Sequence, residues 1–169
     1  MIRLLGAIFI AAGCGSIGFI TASRLLHEIS ATRNLISALE YWQSALTYHH
    51  TTLPELCRLT SSRDASVVGE FFRILGYQFE EQGMSDASQC IASALTLCTG
   101  IPTSSIKLLQ ELGKGLGEFD INGQLQRLTS VLEEAKRTLT SLSNNLDVRL
   151  RSYRTLGICA GIAIAILII

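Results

Sequence analysis

The chain opens and closes on long stretches without a single charge, and these constrain its architecture more than anything between them. Between Arg3 and Arg24 runs "LLGAIFIAAGCGSIGFITAS", twenty residues without a charged side chain. That is the length at which an apolar helix crosses a bilayer. After Arg154 the chain ends on "TLGICAGIAIAILII", fifteen residues. Such a helix is roughly 22 Å long at the standard rise, short of a ~30 Å hydrocarbon core. Local thinning of the bilayer lets a segment of this length reach the far interface. The expectation is an N-terminal transmembrane helix over residues 1–23, a central domain over 24–154 and a short C-terminal transmembrane segment over 155–169.

Charge fixes the orientation. Residues 25–148 carry nine Lys and Arg against fourteen Asp and Glu, a net charge of −5. The arginines gather where the central domain meets the two runs, at Arg24 and at Arg149, Arg151 and Arg154. Short basic flanks stay on the cytoplasmic side. Both ends therefore put the central domain in the cytoplasm, with Arg3 and the α-amine pulling weakly the other way. An acidic body of this kind does not suit nucleic acid.

"AAGC", Ala11 to Cys14, is similar to a bacterial lipoprotein cleavage site. A cleaved signal turns polar soon after that point, whereas here Ile17, Phe19 and Ile20 continue the apolar run. A retained helix is the better reading. Ala7, Ala11 and Gly15 repeat every four residues in the first run, and Gly157 and Gly161 do so in the second. Small residues at this spacing let membrane helices approach closely.

The central domain reads as α-helix throughout. Leu25, Ile29, Thr32, Ile36, Leu39 and Leu46 keep a three-and-four rhythm, widened by Leu35 and Trp42, and no Gly or Pro falls between Thr21 and Thr52. Thr52 is placed to cap a short helix with Pro54 in its first turn. Asp64 or Ser66 then caps a helix carrying Val67, Val68, Phe71, Phe72, Leu75 and Phe79, which Gly83 ends. Ser85 starts one carrying Ile91, Ala94, Leu95 and Cys98, which Gly100 ends. Pro102 and Thr103 open the next, with Ile106, Leu109, Leu112 and Leu116 on one face. Asp120 caps a last long helix whose leucines, from Leu125 to Leu146, mark an antiparallel or coiled seam. The expected fold is all-α: a compact cytoplasmic bundle of about six helices flanked by the two membrane segments.

"ELGKGLGEFD", Glu111 to Asp120, invites a phosphate-binding reading. A Walker loop needs GxxxxGK[ST] between a strand and a helix, but Lys114 is followed by Gly115 and preceded by a helix. A dinucleotide fingerprint fails at its third glycine. The stretch reads instead as a helix end with a left-handed glycine and a tight turn. His49 and His50 are adjacent, so on a helix they point apart and cannot share a metal. The pairs Glu80–Glu81 and Glu133–Glu134 are neighbours on one face, not an opposed acid and base. Cys57, Cys90 and Cys98 form no CxxC and read as small buried hydrophobes. No catalytic, metal-binding or cofactor-binding residues are assigned, and no small-molecule substrate is expected.

The order and spacing of "LLGAIFIAAGCGSIGF", "LISALEYWQSALTYHHTTLPE", "LLQELGKGLGEFDINGQ" and "YRTLGICAGIAIAILII" resemble the stage III sporulation protein AB family of endospore-forming bacteria. The strongest marks are Tyr48–Thr52–Leu53–Pro54, the paired LG steps from Leu112 to Gly117 with Asp120 and Gln124, and the terminal LGxxxG. The resemblance implies a non-enzymatic platform in the channel complex between mother cell and forespore. It implies a place in the outer forespore membrane, with the central domain in the mother-cell cytoplasm. It also implies likeness to the cytoplasmic domain of the inner-membrane platform proteins of type II secretion and type IV pilus systems. The implied partners are a secretion-type ATPase, stage III sporulation protein AA, and other sporulation channel proteins. The expected contact surface is the pair of conspicuous turns, with Thr52, Leu53, Pro54 and Glu55 on one and Lys114, Glu118 and Asp120 on the other. Two competing readings are a helix–domain–helix membrane sensor and a lipoprotein-type helical scaffold, neither tied to an ATPase. A sensor would need a substantial domain outside the cytoplasm, where on this topology only a few residues are expected.

Overall fold

A run of helix-forming residues without Gly or Pro from Thr21 onward allows one uninterrupted helix, and the chain takes it. The structure, a computed structural model, describes residues 2–48, 51–82, 86–114, 116 and 123–144, with the backbone alone for 2–22 and 82. Helix α1 spans Ile2–Tyr48. It is followed by α2 (Leu53–Arg63), α3 (Val67–Gln82), α4 (Ala87–Leu97) and α5 (Thr103–Gly113). A sixth helix, α6, covers residues 123–144. The described residues contain no strand, so the protein is all-α and its central part is a helical bundle.

Among the described residues no helix is long and apolar enough to cross a membrane. The first uncharged run lies where side chains are not described, and the second lies outside the described residues. Both membrane segments, and the packing residues Ala7, Ala11, Gly15, Gly157 and Gly161, fall there. Two compact units divide the chain. Glu28–Leu139 forms one, and Met1–His27 with Thr140–Ile169 forms the other.

Within Glu28–Leu139, cross-helix contacts fix an up-and-down course. Gly76 on α3 faces Cys57 and the Pro54 carbonyl on α2. The Cys98 thiol at the end of α4 donates to the Val67 carbonyl at the start of α3, and the Cys90 thiol donates to the Gln78 carbonyl near its end. Gly113, closing α5, faces Ser88 and Ile91 in the first turns of α4. Helix α6 runs antiparallel to α1, with Gln43 Nε2 donating to Thr129 Oγ1 at 2.9 Å and Lys136 paired to Glu40 at 2.7 Å. On its other side Arg127 meets Glu111 of α5 at 2.8 Å. The last helix therefore closes the ring back onto the first.

The centre is apolar. Leu35, Leu39, Trp42, Leu56, Phe71, Phe72 and Leu75 are fully enclosed and belong to one continuous cluster drawn from all six helices. Burying side chains of this size yields about 1.5–3 kcal/mol each. Trp42 and Phe72 meet with ring centroids 5.1 Å apart, and Phe71 stands edge-on to Phe72 at 5.4 Å, within the range aromatic pairs favour.

The helix ends depart from expectation in instructive ways. Thr52 starts α2 with its carbonyl, which accepts from Leu56 N–H, but its hydroxyl makes no capping bond. At α3 both expected cappers act together. Ser66 Oγ accepts from Val68 N–H, while Asp64 holds Ser66 through its backbone N–H and its hydroxyl. Helix α4 is capped by Asp86, whose carboxylate accepts from Gln89 N–H; the expected start at Ser85 lies outside the described residues, as do Gly83 and Asp120. Gly100 has φ 95°, the left-handed stop expected after α4. At α5 the left-handed glycine expected in this stretch is not Gly113, and Gly115 and Gly117 lie outside the described residues. Gly113 has no positive φ, and Lys114, the residue after it, is right-handed at φ −64°. Gly113 serves a different need, the close approach of α5 to α4: a Cβ there would stand 3.0 Å from Ile91 Cδ1 and 3.3 Å from Ser88 Cα.

Candidate functional site

The up-and-down course places the start of α2 and the end of α5, where the two conspicuous turns join, at the same end of the bundle. On the first turn Thr52 is exposed, Pro54 is half-buried, and Glu55 is bound in a two-pronged ion pair to Arg58, with contacts of 2.8 and 2.9 Å. That hydrogen bond holds the Glu55 carboxyl below the usual carboxylate range. Leu53 does not belong to the surface. It is 3 % exposed and part of the core, because the first turn of α2 inserts it between the helices. Its expected place in a contact surface is corrected accordingly.

On the second turn Lys114 is exposed and engaged within the protein. Its ammonium reaches Glu111 at 2.6 Å, and Arg127 of α6 grips the same carboxylate at 2.8 Å. The Lys114 hydrogen bond, and then its charge and that of Arg127, lower the Glu111 pKa. Arg127 Nε also donates to the Glu111 carbonyl at 3.3 Å. Glu111 therefore ties α5 to α6 through Arg127, and the lysine of the glycine stretch is held on that same carboxylate. Glu118 and Asp120 lie outside the described residues.

Beside this cluster a groove of about 580 Å³ runs between α5 and α6. Lys107, Gln110, Glu111, Arg127, Ser130 and Glu134 line it, over a floor of Leu108 and Val131. Its walls carry charges of both signs, so its chemistry suits a polar protein surface better than a phosphate or an apolar ligand. Sequence reasoning missed this groove. Arg127 and Glu111 are sixteen residues apart, and no local period marks such a pair.

The remaining groups with chemical potential are spent or scattered. Cys57, Cys90 and Cys98 are buried thiols, and burial pushes each upward in pKa, which leaves little thiolate to react. Among the described residues no three metal-ligating side chains converge; His49 and His50 lie outside them. Glu80 and Glu81 are both exposed, and Glu133 pairs with Arg137 on its own helix at 3.8 Å.

The family model of stage III sporulation protein AB matches the chain over residues 3–169. No curated protein is significantly similar. Among solved structures, a stage III sporulation protein AB is similar at 18 % identity and a TM-score of 0.63, covering 72 % of this chain and 97 % of that one. At that identity the likeness speaks to the fold, a bundle of the same helical design.

Proposed function

The chain belongs to the stage III sporulation protein AB family, and on that premise we propose that it is a non-enzymatic membrane platform in the channel complex between mother cell and forespore. The observation that carries this reading is the reach of the family match, which takes in both uncharged ends along with the body. On this reading the terminal segments anchor the protein in the outer forespore membrane. The acidic body stands in the mother-cell cytoplasm and docks a secretion-type ATPase, the partner that binds nucleotide.

The docking surface proposed is the end of the bundle that carries both turns. Thr52, Pro54, Glu55 and Lys114 offer exposed or half-exposed groups there, and the Glu111–Lys114–Arg127 cluster holds that end in a fixed shape. A fixed surface loses less entropy on docking than a mobile one. Glu118 and Asp120 belong to this proposal by their place in the sequence alone.

Calorimetric titration of the full-length protein in detergent with the cognate sporulation ATPase tests this. Saturable binding is expected, weakened by Glu55→Lys and by Lys114→Glu. A well-folded protein that takes up no ATPase refutes the docking role. Binding that neither substitution disturbs moves the interface away from the turns.

A further inference from the structure

A different feature sits toward the opposite end of the bundle, where α2 finishes beside the Asn34–Tyr41 stretch of α1. A cleft of about 320 Å³ opens there, lined by Asn34, Ser37, Ala38, Tyr41, Thr60, Arg63 and Asp64. The Arg63 guanidinium lies over the Tyr41 ring, 4.2 Å from its centroid. The ring face attracts the guanidinium at this distance, and the guanidinium keeps N–H donors for a carboxylate.

Asp64, the carboxylate nearest in sequence, accepts from the Ser66 N–H and hydroxyl and makes no ion pair with Arg63. Thr60 is equally committed, since it accepts from Trp42 and donates to the Leu56 carbonyl. Arg63 forms no ion pair among the described residues. Arg33, exposed one turn before Ser37 on the same stripe of α1, forms none either. The other arginines of the bundle, exposed Arg58, Arg73 and Arg137 and half-buried Arg127, all hold a glutamate.

We propose that this cleft is a protein-docking site that receives an acidic side chain from a partner helix, with the carboxylate seated on the Arg63 guanidinium. Arginine held on an aromatic ring in a recess is the kind of group that dominates interface energetics. Its fork accepts a carboxylate in two parallel hydrogen bonds. Asn34 and Ser37 supply further polar contacts at the rim, and Arg33 adds a second positive charge for a partner with acids spaced along one face. The site is separate from the turns at the other end of the bundle and does not depend on the ATPase reading.

The chain's one tryptophan gives the test its signal. Trp42 is bonded to Thr60 of the cleft floor, so occupancy should perturb its fluorescence. Full-length protein in detergent micelles is titrated with a tryptophan-free amphipathic helical peptide carrying glutamates along its polar face, and with the same peptide carrying glutamines. The expected result is saturable, salt-sensitive binding of the glutamate peptide alone. Arg63→Gln should weaken it about tenfold or more, as truncating one partner of a charged pair does, with thermal stability retained. Arg63→Lys should recover only part of the loss, and Arg73→Gln, on an arginine already paired to Glu70, should leave binding unchanged. Equal binding of the two peptides, no binding, or equal weakening by Arg63→Gln and Arg73→Gln overturns the proposal. So does an Arg63-dependent response to added phosphatidylglycerol without one to the peptide, which assigns the cleft to a lipid headgroup.

Discussion

Two hydroxyls buried in the same bundle have opposite roles. Trp42 is wholly enclosed, and its indole N–H donates to Thr60 Oγ1 at 2.8 Å. Thr60 in turn donates to the Leu56 carbonyl at 2.7 Å, so one hydroxyl satisfies the one polar atom of the largest core side chain. Thr60→Val keeps the shape and removes the acceptor. A buried donor left without a partner costs about 1–3 kcal/mol, and Thr60→Ser should recover most of it. Urea unfolding of the purified protein measures both, and a valine variant as stable as the parent would show that the indole does not need this acceptor. Ser105 is the counter-case. It is fully buried, and its hydroxyl has no hydrogen-bond partner among the described residues. Ser105→Ala removes a desolvated polar group at no loss of bonding and should stabilise by about 1 kcal/mol; a loss of that size would mean that the hydroxyl has a partner after all.

At the scale of elements, glycines decide how closely helices and their connections approach. A Cβ on Gly69 would fall 1.6 Å from the Asp64 carbonyl oxygen. That neighbour is backbone and cannot swing away, so the whole connection between α2 and α3 must open. Gly69→Ala should cost at least the upper end of the ~1–3 kcal/mol usual for overpacking. Gly113→Ala meets the flexible tip of Ile91 first, at 3.0 Å, and should cost about 1 kcal/mol, near the lower end of that range. Thermal unfolding followed by circular dichroism orders the two, and a milder Gly69→Ala would contradict the packing argument. Neither role was legible in the sequence. Helix periodicity found Leu35, Leu39, Phe71, Phe72, Leu75, Leu109 and Leu128 in the core because each belongs to a repeating stripe within its own helix. It could not find Gly69, whose importance comes from the return of a neighbouring loop. It could not find the packing role of Gly113, whose partners Ile91 and Ser88 are on another helix. Leu53 looked like a turn residue beside Pro54, yet one helical turn was enough to carry it inside. The Arg63–Tyr41 cleft escaped for the same reason, since twenty-two positions of chain separate two side chains that stack.

Across the whole molecule, surface charge adjusts stability while the core sets it. The Glu55, Glu70 and Glu111 carboxyls are held low by hydrogen bonds from Arg58, Arg73 and Lys114, with Arg127 helping at Glu111. A lowered carboxyl binds fewer protons folded than unfolded, so its contribution is complete above the ordinary carboxylate pKa, about 4.3 for Glu, and is lost as pH falls through the folded value. The difference in melting temperature between the parent and Glu111→Gln should therefore shrink as pH drops from neutral to about 3; all three sites are exposed, so it starts small. The apolar core contributes far more, and its three thiols respond to its opening. Cys57 lies on α2, Cys90 on α4 and Cys98 at the end of α4, and all belong to the one apolar cluster. If that cluster opens as a single unit, the three should resist alkylation together in buffer and become reactive over the same narrow range of urea, resolved site by site by mass spectrometry. Early reaction of Cys90 and Cys98 with Cys57 still protected would divide the bundle, making α4 a segment that detaches before the α1–α2–α3 centre around Trp42 gives way.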